Sequence, residues 1–263
     1  MSGLVALLVA GAVLVTASLV TARRPEGPIP DLHEYFDRWQ ALHGGYDPRE
    51  RNAWLRGWLT LSYRIARPLA RRGILPGMLT IWTVWLALAV FVPASAGGRW
   101  PILAGWILVL SGLGDTIDGC VAVLTDRATR WGYVLDSAVD RINDVIYLFA
   151  IVSVGGPAAL ALAAGLAFGM LEYIRARAAN AGAGDIGAVT VGERAMRVIC
   201  CAAGIHFSGI FAGHAQLAAT LGLAALAAFS AIGLAQLAVA VRRQLIGLPG
   251  ASRRADQVSD DAG

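Results

Sequence analysis

Long apolar stretches alternate with short polar segments along this chain. The first stretch runs from Gly3 to Ala22, and Arg23 and Arg24 follow it directly. Its start carries no positive residue, so its polarity is that of an anchor with its N-terminus outside rather than that of a secretory leader. We therefore predict an N-terminal membrane anchor helix over residues 1–24, with a cleaved leader as the weaker alternative.

Residues 25–73 break this apolar pattern. Three prolines within residues 25–30 predict a stiff linker. Beyond it, apolar residues that include Trp54 and Trp58 recur at roughly helical spacing, with arginines interleaved. This pattern predicts an amphipathic juxtamembrane helix that lies in the headgroup layer with its tryptophans at the interface. A small soluble helix packed on the core is the alternative.

Six further apolar stretches of membrane length follow within residues 74–243, and we expect each to form a transmembrane helix. The last is long enough to tilt or to extend beyond the bilayer. They run approximately over Leu75–Ala94, Pro101–Thr125, Trp131–Val154, Pro157–Tyr173, Ala195–Phe211 and Ala215–Val241.

Arginines mark alternate connections between these stretches. The loops that follow the second and fourth stretches are rich in arginine, whereas the turns near Gly155 and Gly213 carry no charge. By the positive-inside rule, the arginine-rich loops and the C-terminus are cytoplasmic. The pattern thus predicts an all-α, multi-pass protein of the plasma membrane, with a polar cytoplasmic tail over residues 244–263.

Composition agrees with a membrane protein. The 263 residues are 57% hydrophobic and 15% charged, whereas an average soluble domain is nearer a quarter charged, which argues against an ordinary soluble enzyme. All 22 cations are arginines, a bias that genomic base composition is sufficient to explain. The three cysteines lack metal or disulfide spacing and are expected to be packing residues. No nucleic-acid partner is expected.

Acidic residues occur inside the second and third stretches, where each costs at least ~2.5 kcal/mol on insertion scales. Asp115 and Asp118 share one helix face, and Asp136, Asp140 and Asp144 share another. Because a short loop joins the two helices, we expect them to be antiparallel neighbours. A rise of ~1.5 Å per residue then sets Asp118 level with Asp136, and Asp115 level with Asp140.

Four facing carboxylates need a cation, or some of them must take up protons. A divalent metal meets this need, and all-oxygen ligation favours Mg²⁺, Mn²⁺ or Ca²⁺. Gly112, Gly114 and Gly119 leave room beside the acids for a close approach of backbone or ligand. On spacing alone, a proton relay or salt bridges with Arg141 remain alternatives.

Residues 115–140 read D-T-I-D-G-C-V-A-V, then eight residues, then G-Y-V-L-D-S-A-V-D. This run resembles the signature of the CDP-alcohol phosphotransferases, D-x-x-D-G-x-x-A-R-x8-G-x3-D-x3-D. All four aspartates match in register, and so do Gly119, Ala122 and Gly132, whereas Val123 stands where the signature has arginine. Arg127 or Arg130, in the next turn, is our candidate to replace that cation.

A second pattern extends the resemblance, which covers roughly residues 70–243. Residues 172–178 read E-Y-I-R-A-R-A and residues 192–197 read G-E-R-A-M-R, and both are similar to the branch of phosphatidylglycerophosphate and phosphatidylinositol-phosphate synthases. Clustered arginines at membrane depth suit a phosphate-bearing acceptor, although they would also mark the ends of a cytoplasmic loop. The candidates to bind the acceptor phosphate are Arg175, Arg194 and Arg197.

The resemblance implies a six-helix transmembrane bundle that moves a phosphatidyl group from CDP-diacylglycerol to a small, phosphate-bearing alcohol and releases CMP. Glycerol 3-phosphate and an inositol phosphate are the acceptors we expect. The resemblance also implies a homodimer and two ions of Mg²⁺ or Mn²⁺. The implied metal ligands are Asp115, Asp118, Asp136 and Asp140, and Asp140 is also the catalytic base. The implied nucleotide-binding residues are Gly119, Ala122, Gly132 and Arg127.

Two other interpretations compete with an enzyme. Loss of the signature arginine is compatible with a family member that has lost catalysis and acts as a membrane scaffold. Acids inside apolar helices also occur in cation-coupled or proton-coupled transporters. Transport does not account for the register of Gly119, Ala122 and Gly132 with the signature.

Overall fold

The computed structural model describes residues 2–42, 44–51, 53–183 and 190–246, and all regular structure in these ranges is helical. The all-α prediction is confirmed. The predicted tail lies outside the described residues from position 247 onward. The helices are α1 (Ser2–Val20), α2 (Leu32–Leu42), α3 (Pro48–Arg51), α4 (Ala53–Arg71), α5 (Pro76–Ala89), α6 (Phe91–Ser95), α7 (Pro101–Leu124), α8 (Arg130–Ser153), α9 (Ala158–Asn180), α10 (Arg194–Ile210) and α11 (Ala215–Ile246).

Five segments in the described part of the chain are long and apolar enough to cross a membrane. They are Gly3–Val20, Pro76–Ser95, Pro101–Leu124, Ala158–Asn180 and Ala212–Ile246. The two remaining predicted spans are α8, which carries acids and arginines along its length, and α10, which has 17 residues and begins with an arginine. Both of these helices carry internal charges, but so do the apolar α7, with Asp115 and Asp118, and α9, with Glu172.

The first of the six predicted spans is divided into α5 and α6. Pro93 explains the break, because proline has no N–H to donate to the carbonyl of Ala89 and its ring crowds that carbonyl. Helix α5 therefore ends at Ala89, and α6 begins at Phe91 after one residue that keeps helical backbone angles. Together the two helices form the single span Pro76–Ser95.

Helix α9 is longer than the sequence pattern predicts. It was expected to end near Tyr173, but it continues to Asn180, so Arg175 and Arg177 lie on a helix instead of in a loop. The added turns are rich in alanine and arginine, which are strong helix formers. Gly182, with φ of +86°, follows the end of the helix in the left-handed conformation that glycine adopts most easily.

The main core lies among α5 to α11. Leu108, Ile151, Ile205 and Leu223 are fully buried in it. Helix α7 is central, since α4, α5, α6 and α10 all pack against it. The first two aspartates of the candidate site are therefore carried by a helix that its neighbours contact on several sides, which restricts its movement.

The N-terminal helix α1 packs against α5. The indole N–H of Trp82 donates to the hydroxyl of Ser18 (3.1 Å), and that of Trp85 donates to the carbonyl of Leu7 (2.9 Å). Gly11 faces the Trp85 ring, where a Cβ would come within 2.8 Å of a ring carbon. These contacts attach α1 to the bundle, while its other apolar side chains stay exposed, as expected of a helix in lipid.

The region between α1 and α5 holds three helices where the sequence predicted one. Helix α4 matches the predicted amphipathic helix, but α2 was missed, although Leu32, Tyr35, Phe36 and Trp39 recur at the spacing of one helix face. Tyr35 and Phe36 of α2 join Leu59 and Tyr63 of α4 in a second core against α7. This region therefore packs on the bundle rather than merely linking α1 to it.

Helices α10 and α11 approach closely at Gly204 and Gly222. A Cβ on Gly222 would lie 2.7 Å from Cα of Gly204 and 2.9 Å from the carbonyl oxygen of Cys200. We expect Gly222→Ala to lower the unfolding temperature in detergent, because overpacking against backbone costs ~1–3 kcal/mol. Gly169→Ala in α9 is the control, since no heavy atom lies within 4 Å there. Equal unfolding temperatures for the two variants would contradict the close packing.

Candidate active site

The acidic residues of α7 and α8 face a gap between these helices. Helices α5 and α10 each pack against both α7 and α8. Helices α7 and α8 meet through side chains, since the hydroxyl of Tyr147 in α8 donates to that of Ser111 in α7 (2.8 Å). The expectation that the two helices are neighbours agrees with this contact, although their backbones lie less close to each other than to α5 and α10. Their facing carboxylates require space for a cation or a ligand, and the flanking helices provide it.

Three carboxylates meet in this gap. Oxygens from Asp115, Asp118 and Asp136 all lie within 4.8 Å of one another. The hydroxyl of Thr80, on α5, donates to Oδ2 of Asp118 (2.7 Å) and orients that side chain. Oδ1 of Asp136 is buried and has no hydrogen-bond partner among the residues that the structure describes. An all-oxygen set with an unsatisfied buried oxygen fits a hard divalent cation such as Mg²⁺ or Mn²⁺.

The fourth aspartate of the signature, Asp140, lies beside this set and pairs with an arginine. Nη2 of Arg194 is 2.9 Å from Oδ1 of Asp140, and Nη1 of the same guanidinium contacts Asp115. Arg141 is a more distant neighbour at 3.7 Å. Arg194 thus connects one carboxylate of the metal set with Asp140, whose assigned roles as ligand and base remain predictions.

A second charge cluster lies deeper in the bundle, around Arg197. This side chain is 2% exposed, and its Nη1 lies 2.7 Å from Oδ2 of Asp144, which is 1% exposed. Nη2 of Arg197 contacts Glu172, and Nη1 of Arg141 is 3.3 Å from Asp144. Arg197 was predicted to bind the acceptor phosphate, yet here its charge is already matched by Asp144 and Glu172.

Arg175 lies nearer the surface of this cluster. Its Nη2 donates to Oε1 of Glu193 (2.7 Å), and the backbone N–H of Thr190 donates to the same oxygen (3.1 Å). Burial acts to raise the pKa of Glu193, but the bonds from Arg175 and Thr190 outweigh it and hold that pKa below its usual range. Glu193 therefore remains ionised at neutral pH and keeps Arg175 at the start of α10.

A cavity of about 440 Å³ extends from the three carboxylates along α7. The residues predicted to bind nucleotide all line it, and they are Gly119, Ala122, Gly132 and Arg127. A Cβ on Gly119 would meet no heavy atom within 4 Å, so the wall there is open. The N–H of Gly132 is not available to a ligand in this conformation, because it donates to Oγ1 of Thr129 (2.9 Å).

Sequence reasoning missed several polar residues around the site. Glu172 begins the E-Y-I-R-A-R-A run, but the sequence assigned it no function. Thr80 follows Pro76 at the start of a predicted span, which is only a weak signal of a site residue. The hydroxyl of Tyr147 donates to Ser111 (2.8 Å), the hydroxyl of Ser111 to the carbonyl of Thr83 (2.7 Å), and the amide of Asn143 to Oγ1 of Thr83 (2.9 Å). This buried network links α5, α7 and α8 below the carboxylates.

The fold and the site define a helical membrane protein with an acidic cavity that could hold a metal ion inside its bundle. Residues 73–241 match the CDP-alcohol phosphatidyltransferase family, and the chain belongs to that family. The matched range contains α5 to α10 and most of α11. The chain is therefore a multi-pass membrane protein and an enzyme that transfers a substituted phosphate group, as the sequence predicted.

Named relatives share one kind of product. The phosphatidylinositol phosphate synthase of Cutibacterium acnes is 31% identical over 71% of this chain and 95% of its own. The archaetidylinositol phosphate synthase of Pyrococcus horikoshii is 35% identical over 52% and 71%. Among solved structures, the phosphatidylinositol phosphate synthase of Mycobacterium tuberculosis, in complex with manganese and citrate, has a TM-score of 0.56 and 26% identity, and the match covers 68% of this chain and 88% of that one.

We expect Arg197→Met to destabilise the protein strongly, because it leaves Asp144 as an unpaired buried charge at a cost of ~3–5 kcal/mol. Unfolding monitored in detergent would measure the loss, and adding Asp144→Asn should restore part of it. Arg177→Met, at an exposed position of α9, is the matched control. An Arg197→Met variant as stable as this control would show that the pair contributes little.

Proposed function

We propose that this enzyme transfers a phosphatidyl group from CDP-diacylglycerol to an inositol phosphate and releases CMP. The observation that carries this proposal is the acidic cavity with three convergent carboxylates, which lies beside an arginine-rich region at the start of α10. Glycerol 3-phosphate was an equal candidate from the sequence. The relatives favour inositol phosphate, because both are named for a product that contains it.

The three carboxylates would hold Mg²⁺ or Mn²⁺, and two ions are the number that the family resemblance implies. When bound, the metal supplies positive charge that allows the donor's diphosphate to lie beside acidic side chains and stabilises the leaving CMP. Gly119 and Ala122 give the nucleotide a flat, open wall. Arg127 lines the same cavity, so it is better placed than Arg130 to replace the signature arginine.

Asp140 would remove the proton from the acceptor hydroxyl. The acceptor oxygen then forms a bond to the phosphorus that carries the diacylglycerol, and the bond between that phosphorus and the oxygen of CMP breaks. Arg194 keeps Asp140 beside the metal carboxylates. Arg175, Arg194 and Arg197 would attract the acceptor phosphate, with Arg194 and Arg175 the more accessible members.

The proposed reaction takes place at the cytoplasmic side of the plasma membrane. Arginine-rich connections support a cytoplasmic active site in the plasma membrane, open to the lipid leaflet from which the donor enters. Residues 74–243 would form the catalytic domain, with residues 1–24 as anchor, residues 25–73 as juxtamembrane region and residues 244–263 as tail. The homodimer implied by the resemblance stays a prediction.

Purified protein in detergent, supplied with CDP-diacylglycerol and Mg²⁺ or Mn²⁺, tests this function. We expect CMP release and a phosphorylated inositol lipid when inositol phosphate is the acceptor, and little product with unphosphorylated inositol or glycerol 3-phosphate. Chelation of the metal should abolish the release. Asp140→Asn should lower kcat by ~10²–10⁴-fold, as expected for loss of a general base.

Asp31→Asn provides the matched control, since Asp31 accepts a hydrogen bond from the backbone of α2 and asparagine can do the same. Full activity of Asp140→Asn would refute its role as base. A preference for glycerol 3-phosphate would refute the acceptor while leaving the reaction class intact. Substrate flux across liposomes without CMP formation would support transport instead.

Arg127→Ala should raise the KM for CDP-diacylglycerol by about tenfold, because a hydrogen bond to a charged group contributes ~1.5–3 kcal/mol. Arg130→Ala should leave KM near the wild-type value, since Arg130 does not line the cavity in the described structure. Initial-rate kinetics on the two variants make the comparison. If both retain wild-type kinetics, neither arginine replaces the signature cation.

A further inference from the structure

The region before α5 reaches into the candidate active site. The family match begins at residue 73, yet Tyr35 and Trp39 of α2 and Leu59 of α4 line the same cavity as Asp115 and Asp118. Part of the cavity wall is thus built from residues outside the family's matched range. Tyr35 and Trp39 make this wall aromatic, whereas Asp115, Asp118 and Asp136 make another part of the lining acidic.

Several polar contacts fix this region on the bundle. Nε1 of Trp58 donates to the hydroxyl of Thr116 (3.1 Å), between the first two aspartates of the signature. Arg38 directly precedes Trp39 in the chain, and its Nη1 donates to the carbonyl of Val123 (3.4 Å). The hydroxyl of Tyr63 donates to the carbonyl of Pro30 (3.0 Å) and holds the start of α2. The aromatic wall is therefore positioned by contacts on both sides of it.

The preceding linker also holds Arg127. Nη2 of Arg127 donates to the carbonyl of Arg23 (2.9 Å), and the N–H of Arg23 donates to the carbonyl of Gly73 (2.8 Å). A Cβ on Gly73, whose φ is +79°, would lie 2.5 Å from the carbonyl carbon of Arg23. The segment after α1 is thus fastened between the start of the family's matched range and the loop that follows α7.

The aromatic wall stands where this chain departs from the signature. Val123 replaces the signature arginine, and its side chain packs in the same apolar cluster as Trp39 while both line the cavity. Tyr35, 1% exposed, is the buried member of this wall. Burial, with the neighbouring Cys120 thiol, raises the pKa of Tyr35, so the wall carries no charge at neutral pH.

The position of the carboxylates indicates which part of the donor meets this wall. A metal on Asp115, Asp118 and Asp136 would hold the diphosphate, so the nucleoside would extend along Gly119, Ala122 and Val123. Aromatic side chains bind nucleobases by stacking, and any base can stack because each has a flat π-face. The acyl chains of the donor can contact apolar side chains elsewhere in the bundle, so binding them does not require a tryptophan at this wall.

We propose that Trp39, on helix α2, is a substrate-contacting residue that packs against the cytosine of the CDP-linked donor. The N-terminal region thereby completes the nucleotide site from outside the family's matched range. This inference rests on the proposed function, because it takes a CDP-linked donor as the ligand.

Three variants and two measurements test the contact. Trp39→Leu keeps an apolar side chain but removes the ring, Trp39→Phe keeps a ring, and Trp54→Leu changes an exposed tryptophan of α4 that lies outside the cavity lining. We expect Trp39→Leu to raise the Kd for CMP and the KM for CDP-diacylglycerol by about tenfold, a typical loss for one stacked base. kcat and the KM for the acceptor should change less than about twofold, a split that general misfolding would not produce.

Trp39→Phe should retain most of the affinity for CMP, and Trp54→Leu should retain all of it. Equal CMP affinity in Trp39→Leu and Trp54→Leu would overturn the proposal. An equal loss in Trp39→Leu and Trp39→Phe would also overturn it, because bulk rather than the ring would then matter.

A measurement on the unmodified protein guards against a variant that fails to fold. Light-induced crosslinking with 5-iodo-CMP should label the peptide that contains Trp39, as identified by mass spectrometry. Labelling only at other positions would overturn the contact. If the wild type fails to release CMP from CDP-diacylglycerol, the proposed function is wrong, and CMP binding and crosslinking still decide whether Trp39 contacts a nucleotide.

Discussion

Charge compensation inside an apolar bundle is the constraint on which the rest of this structure depends. An uncompensated carboxylate at membrane depth costs ~2.5–3.5 kcal/mol on insertion scales, so several together require nearby cations. The chain meets this requirement in two ways. Arg197 and Arg141 neutralise Asp144 and Glu172 deep in the bundle, while Arg194 reaches Asp115 and Asp140. The remaining set around Asp118 and Asp136 is left for a metal.

The two kinds of charge compensation have different roles, one structural and one chemical. The pair of Arg197 with Asp144 is almost fully buried and fixes α10 against α8. The set of Asp115, Asp118 and Asp136 borders a cavity, and one of its buried oxygens has no hydrogen-bond partner in the described chain. Oδ1 of Asp144 also lacks a hydrogen-bond partner among the described residues, so the border with the cavity is what marks the set of three carboxylates as one able to bind a cation. The same residue type thus serves stability at one depth and ligand binding at another.

Sequence reasoning succeeded where a local pattern has a single physical meaning. Spacing of three and four placed the aspartates on facing helix surfaces, and the signature register brought Gly119, Ala122, Gly132 and Arg127 to one cavity. It failed where a contact joins distant parts of the chain. Trp39 lies about 80 residues before Val123 in the sequence, and the apolar spacing in α2 indicates a packed helix face without indicating which helix or cavity that face meets. Thr80 gave only a weak signal, because its bond to Asp118 crosses from one helix to another.

The sequence by itself determined the class of this protein. Apolar stretches of membrane length, arginines in alternate loops and the aspartate signature depend only on local order along the chain. Five of the apolar stretches in the described residues form helices long and apolar enough to cross a membrane, and three of the signature aspartates meet at one site, whereas the orientation inferred from the arginines stays a prediction. Only the tertiary structure decided which acids are free to bind a metal. Asp115, Asp118, Asp136 and Asp140 have the same chemistry and similar spacing, but their partners come from helices far away in the chain. The position of α5 and α10 against both α7 and α8, and the contribution of α2 to the cavity wall, follow from packing between surfaces that the sequence order does not bring together.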